Sequence, residues 1–139
     1  MIKLFLRLSI GIGFLSAVAD RFGFWSKEVS AWGNWNNFLA YTQSLNPLIP
    51  HSFIPFIGWA STLLEIMLGV GLIIGFKTSL IAKLSGWLLL IFALAMTFTR
   101  GIKPPLDYSV FAASAGAFGL SLIKEKILEI DTLLKKNKR

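Results

Sequence analysis

Three long apolar runs and a shorter fourth fill most of the chain, at roughly Leu4–Phe24, Phe53–Phe76, Ser79–Thr99 and Tyr108–Ile123. A transmembrane helix needs about 20 mostly apolar residues to cross about 30 Å of hydrocarbon. The first three runs reach that length and the fourth lies near its lower limit. The pattern predicts an all-α membrane protein, a four-transmembrane-helix bundle. Between the first two runs lie Trp25, Trp32, Trp35, Phe38 and Tyr41, then Pro47, Pro50 and Pro55. Trp and Tyr favour the membrane–water boundary, because their rings are apolar and carry one polar tip. Trp35, Phe38, Leu39, Thr42 and Leu45 recur at helical spacing. They predict a short outer amphipathic helix lying on the membrane surface, stopped by Asn46-Pro47. Gly75-Phe76-Lys77-Thr78-Ser79 predicts a tight turn, and Arg100–Pro105 a second. Ile123, Ile127, Ile130 and Leu134 fall at i, i+4, i+7 and i+11 with Lys and Glu between them. That spacing predicts a cytoplasmic amphipathic tail over residues 124–139.

Composition agrees with a single membrane domain over all 139 residues: 55% are hydrophobic and 15% charged, where soluble domains carry about 25% charge. No cysteine is present, which removes disulfides, thiol nucleophiles, iron–sulfur clusters and Cys-based zinc sites. A lone histidine, His51, rules out haem held by two histidines of this chain and leaves no metal-ligand set. The net charge of +7 does not indicate nucleic acid, because the basic residues lie at span ends and in the tail; six of the 14 Lys and Arg follow Ile123. Lys3, the apolar stretch after it and Ala17-Val18-Ala19 resemble a cleavable signal peptide. Arg7 interrupts that stretch and further spans follow, so a retained first helix is expected. Lys3, Arg7, Lys77, Lys83 and the tail fall on one side of such a bundle. The positive-inside rule then places both termini in the cytoplasm.

Glu65 is the most informative single residue. A carboxylate at mid-span must be protonated, paired or hydrated, since insertion scales charge about 2.5–3.5 kcal/mol for Asp, Lys or Arg at a helix centre. As a functional group it would accept protons or bind a ligand; as a structural one it would be hydrogen-bonded to Ser, Thr or Arg between helices. Gly58, Ser61, Glu65, Gly69 and Leu72 share one helical stripe. Ser9, Gly13, Ser16 and Asp20 form a similar stripe in the first run, and Ala112, Ala113, Gly116 and Gly119 supply one in the fourth. These stripes are expected as packing seams that turn Glu65 and Asp20 to the interior. Arg7 and Arg21 are 14 residues apart, nearly on one face and about 21 Å distant. For Arg7 and Lys83, snorkelling to headgroups is the expectation. Arg100 and Asp107 flank the outer turn. There they would meet Asp20 and Arg21, either as a solvated ion-pair network or as a site for an anion or quinone headgroup. No P-loop, dinucleotide fingerprint, nucleophile elbow or zinc-protease motif occurs.

The arrangement resembles the DoxX family of small four-span membrane proteins from about Arg7 to Lys124. The resemblance rests on Arg7 within RLSIGIGFLSAVADRFG, on Arg21 where relatives commonly carry lysine, on FLAYTQSLNPLIPHSFIPFIGW, and above all on LEIMLGVGLIIGFKTSLIA. The fourth run matches poorly, and a Lys/Glu tail replaces the glycine-rich ending of many relatives. The resemblance implies a four-helix bundle and a partner role in membrane redox chemistry, since DoxD-type members are linked to thiosulfate:quinone oxidoreduction. The absence of cysteine argues against covalent handling of sulfur.

The expected function is thus an integral subunit or anchor of a quinone-linked redox system in a bacterial inner membrane. Glu65, Arg7, Asp20 and Arg21 would line a polar interior site, and a redox protein partner would supply the electron carrier. One alternative is a non-catalytic scaffold that binds a partner or anionic lipid through its tail. The other is a small proton or weak-acid transporter gated by Glu65, which would need a homo-oligomer to enclose a pore.

Overall fold

The computed structural model describes residues 1–132. Helix α1 spans Ile2–Arg21, α2 Trp35–Leu45, α3 Ile54–Ile74, α4 Thr78–Arg100, α5 Lys103–Asp107 and α6 Val110–Leu122; a single 3-10 turn, His51–Phe53, leads into α3. No strand occurs among the described residues. Among the described residues, three helical stretches, Ile2–Arg21, His51–Ile74 and Thr78–Arg100, are long and apolar enough to cross a membrane.

The fourth element is shorter than the sequence pattern suggests. Helix α6 has 13 residues, about 20 Å at 1.5 Å per residue. Pro104 and Pro105 start the separate helix α5, since proline suits a first turn and ends what precedes it. Ser109, at φ 56°, then breaks the chain between α5 and α6.

The bundle is closed by small residues. A Cβ on Gly11 of α1 would lie 2.9 Å from the Gly69 carbonyl oxygen of α3, and one on Gly69 would lie 3.0 Å from the Gly11 carbonyl oxygen. The two backbones therefore touch across this pair, as small residues permit in membrane helices. Helices α4 and α6 meet where Gly86 lies under the Phe118 ring and Ser114 Oγ donates to the Gly86 carbonyl at 2.8 Å. Leu72, Ala82 and Leu120 form the centre, with Leu6, Ile10 and Ile81 packed round it. The outward faces carry Phe56, Leu63, Met67, Leu84, Ile91 and Phe98, all exposed, as a lipid-facing belt requires.

Two seams expected from the sequence differ in the structure. Ser9 and Gly13 of α1 are exposed, as are Ala112 and Gly119 of α6. The buried stripe of α1 is instead Lys3, Arg7, Gly11, Phe14, Val18 and Arg21. Gly11 and Gly13 stand two residues apart and so point about 200° from one another; only Gly11 meets α3.

Helix α2 begins at Asn34, whose side chain accepts from the Asn37 N–H, and ends at Asn46. It packs over the first half of α3, where Gly58 leaves room for Phe38, Leu39 and Trp35. The tail differs most from its predicted helix. Ile123 is extended (ψ 112°) and residues 123–129 are not helical, although a turn begins at Ile130. Lys3 and Arg7 take the carbonyl oxygens of Glu125, Ile127 and Leu128, acceptors that a helix would need for itself. Leu134 and the basic residues Lys135, Lys136, Lys138 and Arg139 lie outside the described residues.

Candidate functional site

Glu65 sits midway along α3 and is 1% exposed. Arg21, the last residue of α1, is 3% exposed and reaches it across the α1–α3 interface. Arg21 Nη2 lies 2.7 Å from both Oε1 and Oε2 of Glu65, and Nη1 donates to Thr62 Oγ1 at 2.8 Å. Thr62 Oγ1 in turn donates a hydrogen bond to the Gly58 carbonyl at 2.7 Å. Thr62 and Glu65 are three residues apart, so one helix face carries both acceptors.

Aromatic rings roof the pair. The Arg21 guanidinium carbon stands 4.0 Å from the Phe38 ring centroid and 5.3 Å from that of Trp32. Phe38 and Trp32 pack edge to face at 5.3 Å, and Trp35 and Trp59 continue the cluster at 4.5 Å. A guanidinium under an aromatic face is favoured electrostatically, by about 2 kcal/mol when desolvated. One donor remains open: Arg21 Nε is buried without a hydrogen-bond partner among the described residues.

Asp20 is buried beside Arg21 in sequence but faces another way. Its carboxylate accepts from Ser30 Oγ and, at 2.9 Å each, from the backbone N–H groups of Ala31 and Trp32. It clamps the loop that carries Trp32 over the ion pair. Beyond Trp32 runs a groove of about 420 Å³ lined by Gly13, Ser16, Ala17, Asp20, Trp25, Val29, Ala31 and Trp32. Trp32 thus belongs both to the groove lining and to the surroundings of the Arg21 guanidinium.

Arg7 does not join this site and does not snorkel. It is 0% exposed and lies at the opposite end of α1. Its Nε and Nη2 donate to Leu72 and Ile73 of α3 at 2.8 and 2.9 Å; Nη1 and Nη2 donate to Ile127 and Leu128 at 2.6 and 3.1 Å. Leu72 also accepts from the Gly75 N–H at 3.3 Å; at the end of α3 and along the non-helical tail, where carbonyl oxygens lack a full set of helical partners, Arg7 supplies the further donors. Gly75, in left-handed conformation at φ 72°, ends α3 there, and a Cβ on it would fall 2.6 Å from Arg7 Nη2. Lys3 completes the clasp with a 2.6 Å ion pair to Glu129. Lys83, by contrast, is exposed.

The outer-turn charges also stay apart from Asp20 and Arg21. Arg100 donates to Ser44 Oγ at 2.7 Å and lies 4.8 Å from the Tyr41 ring centroid. Burial pushes the Tyr41 hydroxyl above its ordinary pKa, partly offset by the Arg100 charge. Asp107 pairs with Lys103 in α5. His51 is exposed, and no group of His, Cys, Asp or Glu able to hold a metal occurs among the described residues.

The residues that sequence reading missed were Thr62, the roof of Phe38 and Trp32, and the pair Lys3–Glu129. Thr62 had a signal in its spacing from Glu65, and Phe38 had one in the helical pattern of α2. Lys3–Glu129 had none, because it depends on a tail that is not helical. Comparison with family models, curated proteins and solved structures finds no match to this chain.

Proposed function

We propose that this chain is a DoxX-like integral subunit of a quinone-linked redox system, in a bacterial inner membrane with both termini in the cytoplasm. The single observation that carries the reading is Arg21. It is held by Glu65 and Thr62 beside Trp32, a residue that also lines a groove. A quinone headgroup is flat and largely apolar and accepts hydrogen bonds at its carbonyl oxygens. The groove suits such a ring: its volume falls within the about 300–1,000 Å³ of small-molecule sites, and its lining combines the small residues Gly13, Ser16 and Ala17 with Trp25 and Trp32. Arg21 is buried and does not line the groove, so its charge would act on the quinone across Trp32 and not through a direct hydrogen bond. Glu65 would hold the arginine in place and set the local charge.

Gly13 gives a clean test. A Cβ there would meet nothing within 4 Å, so Gly13→Leu fills the groove without disturbing the bundle. Titrating the protein in nanodiscs with a short-chain ubiquinone analogue will quench part of the tryptophan fluorescence saturably, and G13L will weaken that phase at least tenfold. A purely linear quench, or equal saturation in G13L and the unaltered chain, would exclude the groove as a quinone site.

A non-catalytic anchor is the second reading. The clasp of Lys3 and Arg7 on residues 125–129 favours it, since it fixes where the chain leaves the bundle towards its basic end. Linear quenching together with a partner that binds through residues 124–139 is the result it requires.

A further inference from the structure

A second cavity, of about 410 Å³, opens at the other end of the bundle, where Lys3, Lys77, Thr78, Ser79, Leu80, Ser121, Ile123, Lys124, Lys126, Glu129 and Asp131 meet. Helix α4 starts there with no acidic residue in its first turn and no side-chain cap; its N-cap position is Lys77, in left-handed conformation at φ 40°. Helix N-termini present unpaired N–H groups and a partial positive charge, and ordinarily draw Ser, Asp or Asn to that position. A lysine there adds positive charge to positive charge. Thr78, at the same wall, is 2% exposed, and its Oγ1 has no hydrogen-bond partner among the described residues.

The charges on the wall do not cancel. Glu129 is taken by Lys3 at 2.6 Å. Lys77, Lys124 and Lys126 are exposed and face Asp131 alone among the remaining acidic groups of the lining. The lining also has apolar members: Leu80 is exposed and Ile123 half-buried beside the basic residues. Positive charge beside exposed Leu80 and half-buried Ile123, at the start of a helix long enough to cross a membrane, matches a molecule with an anionic head and hydrocarbon chains.

We propose that this cavity is a phospholipid headgroup site. The phosphate of an anionic phospholipid sits at the N-terminus of α4, with Lys77, Lys124 and Lys126 around it and the Thr78 hydroxyl as a donor. Its acyl chains run down past Leu80 and Ile123. Anions bind helix N-termini for the reasons given above, and a lysine near a membrane surface contributes about a fivefold gain in affinity for anionic lipid.

The test counts lipids bound to the full-length protein by native mass spectrometry from detergent micelles, using phosphatidylglycerol and phosphatidylcholine with the same acyl chains. Phosphatidylglycerol should bind saturably and several-fold more tightly. K77Q should weaken it about fivefold and K124Q/K126Q further, while K83Q, an exposed lysine on α4 outside the cavity, should leave it unchanged. Each variant is first shown to melt as the unaltered protein does; K77Q alters one exposed side chain and carries the test if the double variant fails to fold. Equal binding of the two lipids, or an effect of K83Q as large as that of K77Q, would overturn the site. So would displacement of the lipid by millimolar inorganic phosphate, which would mark a free-anion site instead.

Discussion

Glu65 and Arg21 share a buried position that neither would tolerate alone. Removing one member of such a pair leaves an uncompensated charge and costs about 3–5 kcal/mol, whereas replacing both with apolar residues is often close to neutral. Glu65→Leu and Arg21→Met should each destabilise the bundle by about that amount, and the double variant by far less than their sum. Unfolding of the four proteins in mixed micelles measures the coupling; additive losses would show that the two side chains act independently. The acid was legible in the sequence because a carboxylate within an apolar run must find a partner. Which partner it finds was not. Asp20, Arg21 and Arg7 all lie on α1, and about 100° per residue decides which points at α3. Arg7 read as a snorkelling residue for the same reason: its position near a helix end is compatible with either direction, and the carbonyls of Leu72, Ile73, Ile127 and Leu128 draw it inward.

At the level of helices, the long apolar runs corresponded to α1, α3 and α4 within a few residues at each end, because length and hydropathy alone set them. The small-residue stripes were less informative. Glycine permits close approach on either side of a helix, so the GIG of α1 offers two candidate seams, and the buried one is fixed by the Gly69 backbone opposite. Gly11→Ala should therefore destabilise the α1–α3 pair by about 1–3 kcal/mol through overpacking. Gly13→Ala should be neutral or slightly stabilising, by up to about 1 kcal/mol, from helix propensity. Thermal unfolding of the two variants checks this, and a larger loss for G13A than for G11A would reverse the assignment of the seam. The tail resisted prediction because its amphipathic spacing was genuine while its carbonyls were claimed by Lys3 and Arg7. Side-chain donors more than 100 residues away in sequence leave no mark on local periodicity.

For the molecule as a whole, charge is divided between its two ends. The part around the C-terminal end of α1 holds the Arg21–Glu65 ion pair beside tryptophan and phenylalanine, next to a groove lined by small residues and tryptophans. The other holds the Lys3 and Arg7 clasp, with three further lysines round the start of α4. Both arrangements depend on helices that put their polar residues inward and their large apolar ones outward, the inverse of a water-soluble bundle. The proposed redox role belongs to the first end and the lipid site to the second, so each can fail without the other. The most direct measurement of the central claim is photolabelling of the membrane-embedded protein with an azidoquinone, the attachment points mapped by mass spectrometry. The account predicts label concentrated within residues 13–32, competed by unlabelled quinone and lost in G13L. Label spread over the outward leucines of α3 and α4, or unaffected by competitor, would contradict it.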